Sequence, residues 1–197
     1  MDLGNLSSYI ELGFRHILPE GVDHILFIVA MFLSARGWGQ LLIQVSAFTL
    51  SHTITLGLTA ADILNVDGRI VEPLIALSIA LVGLDAAFTQ KMRPWRLPVI
   101  FAFGLFHGMG FGDAMHDMFV GVDFATVLVG CYLGVELGQL TVLAGAFAVS
   151  TGVKLGLKAA NREALYRRVF VQPVAIAIAL FGLWWFLERL GLFGPVG

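Results

Sequence analysis

The chain has 197 residues, of which 58% are hydrophobic and only 13% charged, with a mean hydropathy of +0.86. A soluble domain is about 45–50% apolar and roughly 25% charged, so that class is excluded. A net charge of −2 and a pI of 6.2 exclude nucleic acid as a partner, and the single cysteine, Cys131, excludes an intrachain disulfide.

The charges are bunched between long apolar runs, and the 23 glycines accompany no period-two alternation. The fold predicted is therefore all-α, a polytopic membrane helical bundle forming one integral-membrane domain, rather than a barrel. In chain order, residues 1–20 begin acidic and lack the apolar core of a secretory signal. Leu6, Tyr9, Ile10, Leu12 and Phe14 suggest a short interfacial helix there. Six hydrophobic segments follow, at about 22–38, 41–64, 70–88, 97–112, 124–149 and 170–192. The fifth is long enough to conceal a break.

Lysine and arginine accumulate in cytoplasmic loops. Arg36 follows the first segment, Lys91, Arg93 and Arg96 the third, and Lys154, Lys158, Arg162, Arg167 and Arg168 the fifth. The loop after the fourth holds Asp113, Asp117 and Asp123, and that after the second holds Asp62, Asp67 and Arg69. Six spans with both termini outside satisfy this alternation. Splitting the fifth segment would place its basic loop outside.

Ionisable groups within a membrane are costly and mark function by default. In this topology Asp23 and His24 open the first segment, His52 lies in the outer half of the second, and Glu72 starts the third beside Pro73. His107 lies near the outer end of the fourth, and Glu136 lies midway along the fifth with Gln139 on the same face. Only Asp85 falls at the inner end. Imidazole and carboxylate are ligands of borderline divalent cations, so these residues read as a metal site, with His16 a further candidate from the segment before Pro19. A proton or anion pathway and a purely structural polar network are the alternatives. Met109, Met115, Met118 and His116 add soft donors, the one hint of copper.

"FTLSH" (48–52) and "FGLFH" (103–107) are each followed by glycine, aspartate and then a Val-Glu pair, which suggests a parallel internal repeat. Gly104, Gly108, Gly110 and Gly112 in the fourth segment and Gly130, Gly134 and Gly138 in the fifth predict close contact between those two helices.

"GFRHILPEGVDHILF", "SAFTLSHTITL", "VEPLIALSIAL", "FGLFHGMGF" and "GVELGQL" together resemble the HupE/UreJ family of membrane proteins, over Gly13 to Gln139. The resemblance implies a permease for nickel or a similar ion, serving metalloenzymes such as hydrogenase and urease. It makes Asp23, His24 and His107 metal-associated positions. The nickel permeases separate the first His from Asp-His by five residues, whereas six separate His16 from Asp23 here. Phe111 stands where their second motif has a further His, and Ala114 where it has Glu. The chain is thus closer to a second, less characterised branch of the family.

The function expected is transport of a divalent transition metal (nickel, cobalt, zinc, iron or copper) across a bacterial inner membrane, with the ion and the lipid bilayer as partners and self-association left open. Asp23 and His24 would capture the ion, and His52, His107, Glu72 and Glu136 would hold it, with Gln139 as a weak ligand or orienter. The alternative is an intramembrane metalloenzyme built on the same residues.

Overall fold

The computed structural model describes residues 3–89, 94–115 and 123–192, and among these every regular element is helical. Lys91, Arg93, His116, Asp117 and Met118, used above, lie outside the described residues, as do the side chains of Asp113, Ala114 and Met115. The helices are α1 (Leu3–Ile17), α2 (Val22–Ser34), α3 (Trp38–Ala60), α4 (Gly68–Phe88), α5 (Arg96–Met115), α6 (Phe124–Ala159) and α7 (Gln172–Arg189). A short 3₁₀ turn (Glu163–Leu165) and a π-helical turn (Arg167–Val171) lead into α7. The wider π turn relieves Pro173, which has no N–H to donate and would crowd the carbonyl one α-turn back.

By length and apolarity α3, α4, α6 and the Glu163–Arg189 stretch are each candidate membrane spans. Leu6–Ile17 and Val22–Ser34 together form a fifth candidate, bent by 71°, and Arg96–Phe111 is a shorter apolar helix. Leucines, isoleucines and aromatics stay exposed along these helices, among them Ile43, Leu50, Leu84, Leu137 and Leu180. Water would not tolerate so continuous an apolar surface, and lipid does. α6 runs unbroken for 36 residues, about 54 Å at 1.5 Å per residue, so it outreaches a ~30 Å hydrocarbon core. The break considered within it does not occur.

α2 is central, touching α1, α3, α4, α6 and α7. α4 lies along α7, where Gly83 meets the backbone of Ala179 and Gly182 meets that of Ala80. α3 and α5 run parallel in even closer contact: a Cβ on Gly104 would collide with Ser51 and the Phe48 backbone, and one on Gly108 with the carbonyl of His52. The expected contact between the glycines of α5 and α6 is corrected by the structure. Gly130, Gly134 and Gly138 face α1 instead, meeting Tyr9, the backbone of Ile10 and Phe14, and Ile17. Glycine spacing shows that a helix admits a close neighbour but not which neighbour.

α1 is therefore clamped to the first half of α6, and its exposed positions among the described side chains are Ser7, Ser8, Glu11 and Arg15. Pro73 lies inside α4 rather than in its first turn, because the helix begins at Gly68 with Asp67 as its cap, accepting from the Arg69 N–H. Arg36, Arg96, Lys154 and Arg167 gather at one end of the bundle. There Arg96 pairs with Asp85 at 3.3 Å and also bonds Ser34, and Arg167 donates to the terminal carbonyls of Ala86 and Ala87. Free carbonyls at a helix C-terminus attract such a cation.

Candidate metal centre

Four helices bring imidazoles to one level of the bundle. α1 ends in His16, α2 begins with Asp23 and His24, and α3 and α5 supply His52 and His107. Counted along the helices from the basic end, His24 is ten residues above Ser34, His107 eleven above Arg96, and His52 fourteen above Trp38. These are rises of about 15, 17 and 21 Å, at or beyond the middle of a ~30 Å core. The bend between α1 and α2 is what allows His16 and His24 to face each other. Gly21 occupies that bend, with the His16 carbonyl and the His24 ring so close that a side chain there would displace one of them.

Ring centroids lie 4.6 Å apart for His16–His24, 5.3 Å for His24–His52 and 4.8 Å for His24–His107. Ligand atoms of His16, His24 and His52 all fall within 4.8 Å of one another, and so do those of Asp23, His24 and His107. His24 belongs to both groups. His24, His52 and His107 are buried, and His16 is half-buried.

The hydrogen bonds account for only part of the polar inventory. Asp23 Oδ1 accepts from the His24 backbone N–H at 2.8 Å and lies 3.0 Å from His24 Nδ1. His107 Nε2 lies 3.0 Å from Ser78 Oγ. His16 Nε2, His24 Nε2, both nitrogens of His52 and His107 Nδ1 are buried with no hydrogen-bond partner among the described residues. A buried polar atom without a partner costs about 1–3 kcal/mol. Each of the four imidazoles thus has at least one unpartnered nitrogen, and one nitrogen from each ring suits a shared cation.

Aromatic rings enclose the cluster. Phe27 and Phe48 pack 5.2 and 5.1 Å from His107 on the side of the basic end, with Phe103 behind Phe27 at 6.1 Å. Phe111 stacks on His16 at 3.4 Å.

Of the residues nominated from sequence, the structure assembles Asp23, His24, His16, His52 and His107. Gln139 is fully buried behind them: its amide meets Thr49 Oγ1 at 2.8 Å, and Thr49 lies one turn before His52. Glu72 is not brought to the cluster. Its side chain is 61% exposed, 3.9 Å from Arg189, on the outside of α4. Glu136 is half-buried and accepts from Tyr132 at 3.3 Å, one turn away on its own helix, also outside the cluster. Sequence reasoning missed Ser78 and Thr49, since serine and threonine are common in membrane helices, where they bond their own carbonyls. It also gave Phe111 no place at the site except as an absent histidine.

The family model described as HupE / UreJ protein matches residues 2–189, nearly the whole chain. No curated protein and no solved structure matches it.

Proposed function

The chain belongs to the HupE/UreJ family, which is associated with nickel and cobalt transport, and from that premise we propose that it carries a divalent transition-metal ion across a bacterial inner membrane by way of the buried histidine cluster. The observation that supports this reading is the convergence of unpartnered imidazole nitrogens from four helices deep in an apolar bundle. A nitrogen-rich set with one carboxylate suits nickel, cobalt, zinc or copper rather than magnesium or calcium. Nitrogens held about 2.0–2.1 Å from one ion stand roughly 3–3.4 Å apart, so side-chain adjustments of about an ångström bring the present spacing into coordination.

An open surface cleft of about 300 Å³, lined by Ser8, Glu11, Leu12, Arg15 and Glu20, lies beside α1 and is the proposed approach. Asp23, whose side chain is 24% exposed, is the first charge the ion meets. His24, His16, His52 and His107 hold the ion, and release toward the basic end requires Phe27, Phe48 and Phe103 to part. One observation favours the rival reading, an intramembrane metalloenzyme: that aromatic floor is closed, and a closed floor suits a retained ion.

The test is elemental analysis of the detergent-purified protein beside a His24→Ala/His107→Ala variant, followed by uptake of nickel, cobalt and zinc into proteoliposomes. One equivalent of metal, lost in the variant, together with uptake down an imposed ion gradient, supports transport. Metal that survives prolonged chelation with no uptake supports the enzyme. A wild-type protein that is purified without metal and binds none when supplied with nickel, cobalt, zinc, iron and copper refutes both.

A further inference from the structure

We infer that Ser78, a residue with no part in the ligand set, fixes which nitrogen of His107 faces the cluster: it holds His107 in the Nε2–H form, so that His107 presents the Nδ1 lone pair. As it concerns ligation, the inference rests on the metal reading above. Its basis is a count of hydrogens. A serine hydroxyl has one proton to give. Ser78 Oγ lies 2.6 Å from the carbonyl oxygen of Ile75, one turn earlier on α4, and 3.0 Å from His107 Nε2.

A carbonyl can only accept, so the 2.6 Å contact commits the Ser78 proton to Ile75. Ser78 must then accept from His107, and His107 must carry its proton on Nε2. Both residues are buried, and no water-facing alternative competes. The remaining nitrogen, Nδ1, is the one left buried without a partner.

Asp23 imposes the opposite choice on His24. An ionised carboxylate accepts only, so the 3.0 Å contact places the His24 proton on Nδ1 and leaves Nε2, also unpartnered, as its donor. Two neighbouring imidazoles, 4.8 Å apart, thus offer unlike nitrogens. A hydrogen bond to the far nitrogen is a recurrent means of orienting a metal-binding histidine. Here one orienting group is a carboxylate and the other a hydroxyl anchored to a helix carbonyl. No such orienting bond is made by His52, both of whose nitrogens are unpartnered, or by Nε2 of His16, so these two rings are the adjustable ones among the described residues.

The experiment uses full-length protein in lipid, with ¹⁵N,¹³C-labelled histidine. Solid-state carbon–nitrogen correlations report which nitrogen of each imidazole is protonated, and His107 is assigned by difference against His107→Ala. In metal-free wild type His107 should be protonated on Nε2 only. Ser78→Ala, which removes a single oxygen, should give a mixture of both forms and weaken nickel or zinc binding by about 10–100-fold. Ser78→Thr, which keeps the hydroxyl, should restore both. Protonation of His107 on Nδ1 in wild type, or a Ser78→Ala protein with unchanged protonation, overturns the inference. If the wild type binds no metal the transport reading fails instead, and the nuclear-resonance result, obtained without metal, still decides the role of Ser78.

Discussion

Arg15–Glu20 and Arg96–Asp85 are ion pairs of nearly equal length, 3.0 and 3.3 Å, in unlike surroundings. The side chains of the first are 59% and 57% exposed, and those of the second 7% and 14%. Two unit charges 3.3 Å apart attract by about 5 kcal/mol at an effective dielectric constant near ~20, whereas an exposed pair is worth roughly 0–1 kcal/mol. Arg96→Met keeps most of the stem volume, leaves Asp85 without its cation and removes the bonds to Ser34. It should destabilise the protein by about 3–5 kcal/mol. Asp85→Asn, which strands the guanidinium, should cost a similar amount. The double variant should lie nearer wild type than either single variant, because the penalty comes from an uncompensated charge. Glu20→Gln is the control, with an expected cost below about 1 kcal/mol. Reversible unfolding in mixed micelles, followed through the four tryptophans, measures all four variants. Arg96→Met costing no more than Glu20→Gln, or a double variant equal to the sum of the singles, would refute the reasoning.

Gly134→Ala should push α1 away from α6, because the new Cβ meets the backbone of Ile10 and Phe14. It should lower the unfolding midpoint and weaken metal binding through His16. Gly145→Ala meets nothing within 4 Å and should be neutral or stabilising by up to about 1 kcal/mol; equal effects of the two in one unfolding series would contradict the packing described. Phe111→His places an imidazole where a ring already stacks on His16, and should tighten nickel or zinc binding in competition with a chromophoric chelator. Bonds from Arg69 hold the exposed Asp67 carboxyl below its ordinary range. A depressed folded value means that its contribution to capping α4 is present above the unfolded value, near ~3.9, and is lost as pH falls through the folded one. Carboxyl carbon titration should show this, and Arg69→Ala should move the midpoint upward.

The sequence disclosed depth better than direction. His24, His52 and His107 stood out because imidazole is conspicuous inside an apolar run, and charge alternation set their level. Glu72 satisfied the same criterion of depth yet lies on the outside of α4, because a helix that is apolar on every face gives no azimuth to read. The start of α4 was also misplaced, since Asp67 caps the helix a turn earlier than Pro73 suggested. His16 was hardest to place, since its position depends on α1 lying against α6, a contact more than a hundred residues distant in sequence. Ser78 illustrates another limit. A serine that bonds its own helix carbonyl gives no sign in the sequence that its lone pairs serve a neighbour.

The clamp between α1 and α6 also sets an order of assembly. Gly13 has no counterpart until Gly134 has been synthesised, 121 residues later, about 6–24 s at translation rates of ~5–20 residues per second. α3 and α5, which carry His52 and His107, can meet before then. During that interval the nascent chain holds an incomplete set of donors, with His16 on an amphipathic helix that has nowhere to dock. On the transport proposed above, the chain would become competent to capture an ion only when most of it has left the ribosome, and a truncated product stalled before α6 would lack the α1–α6 clamp that positions His16.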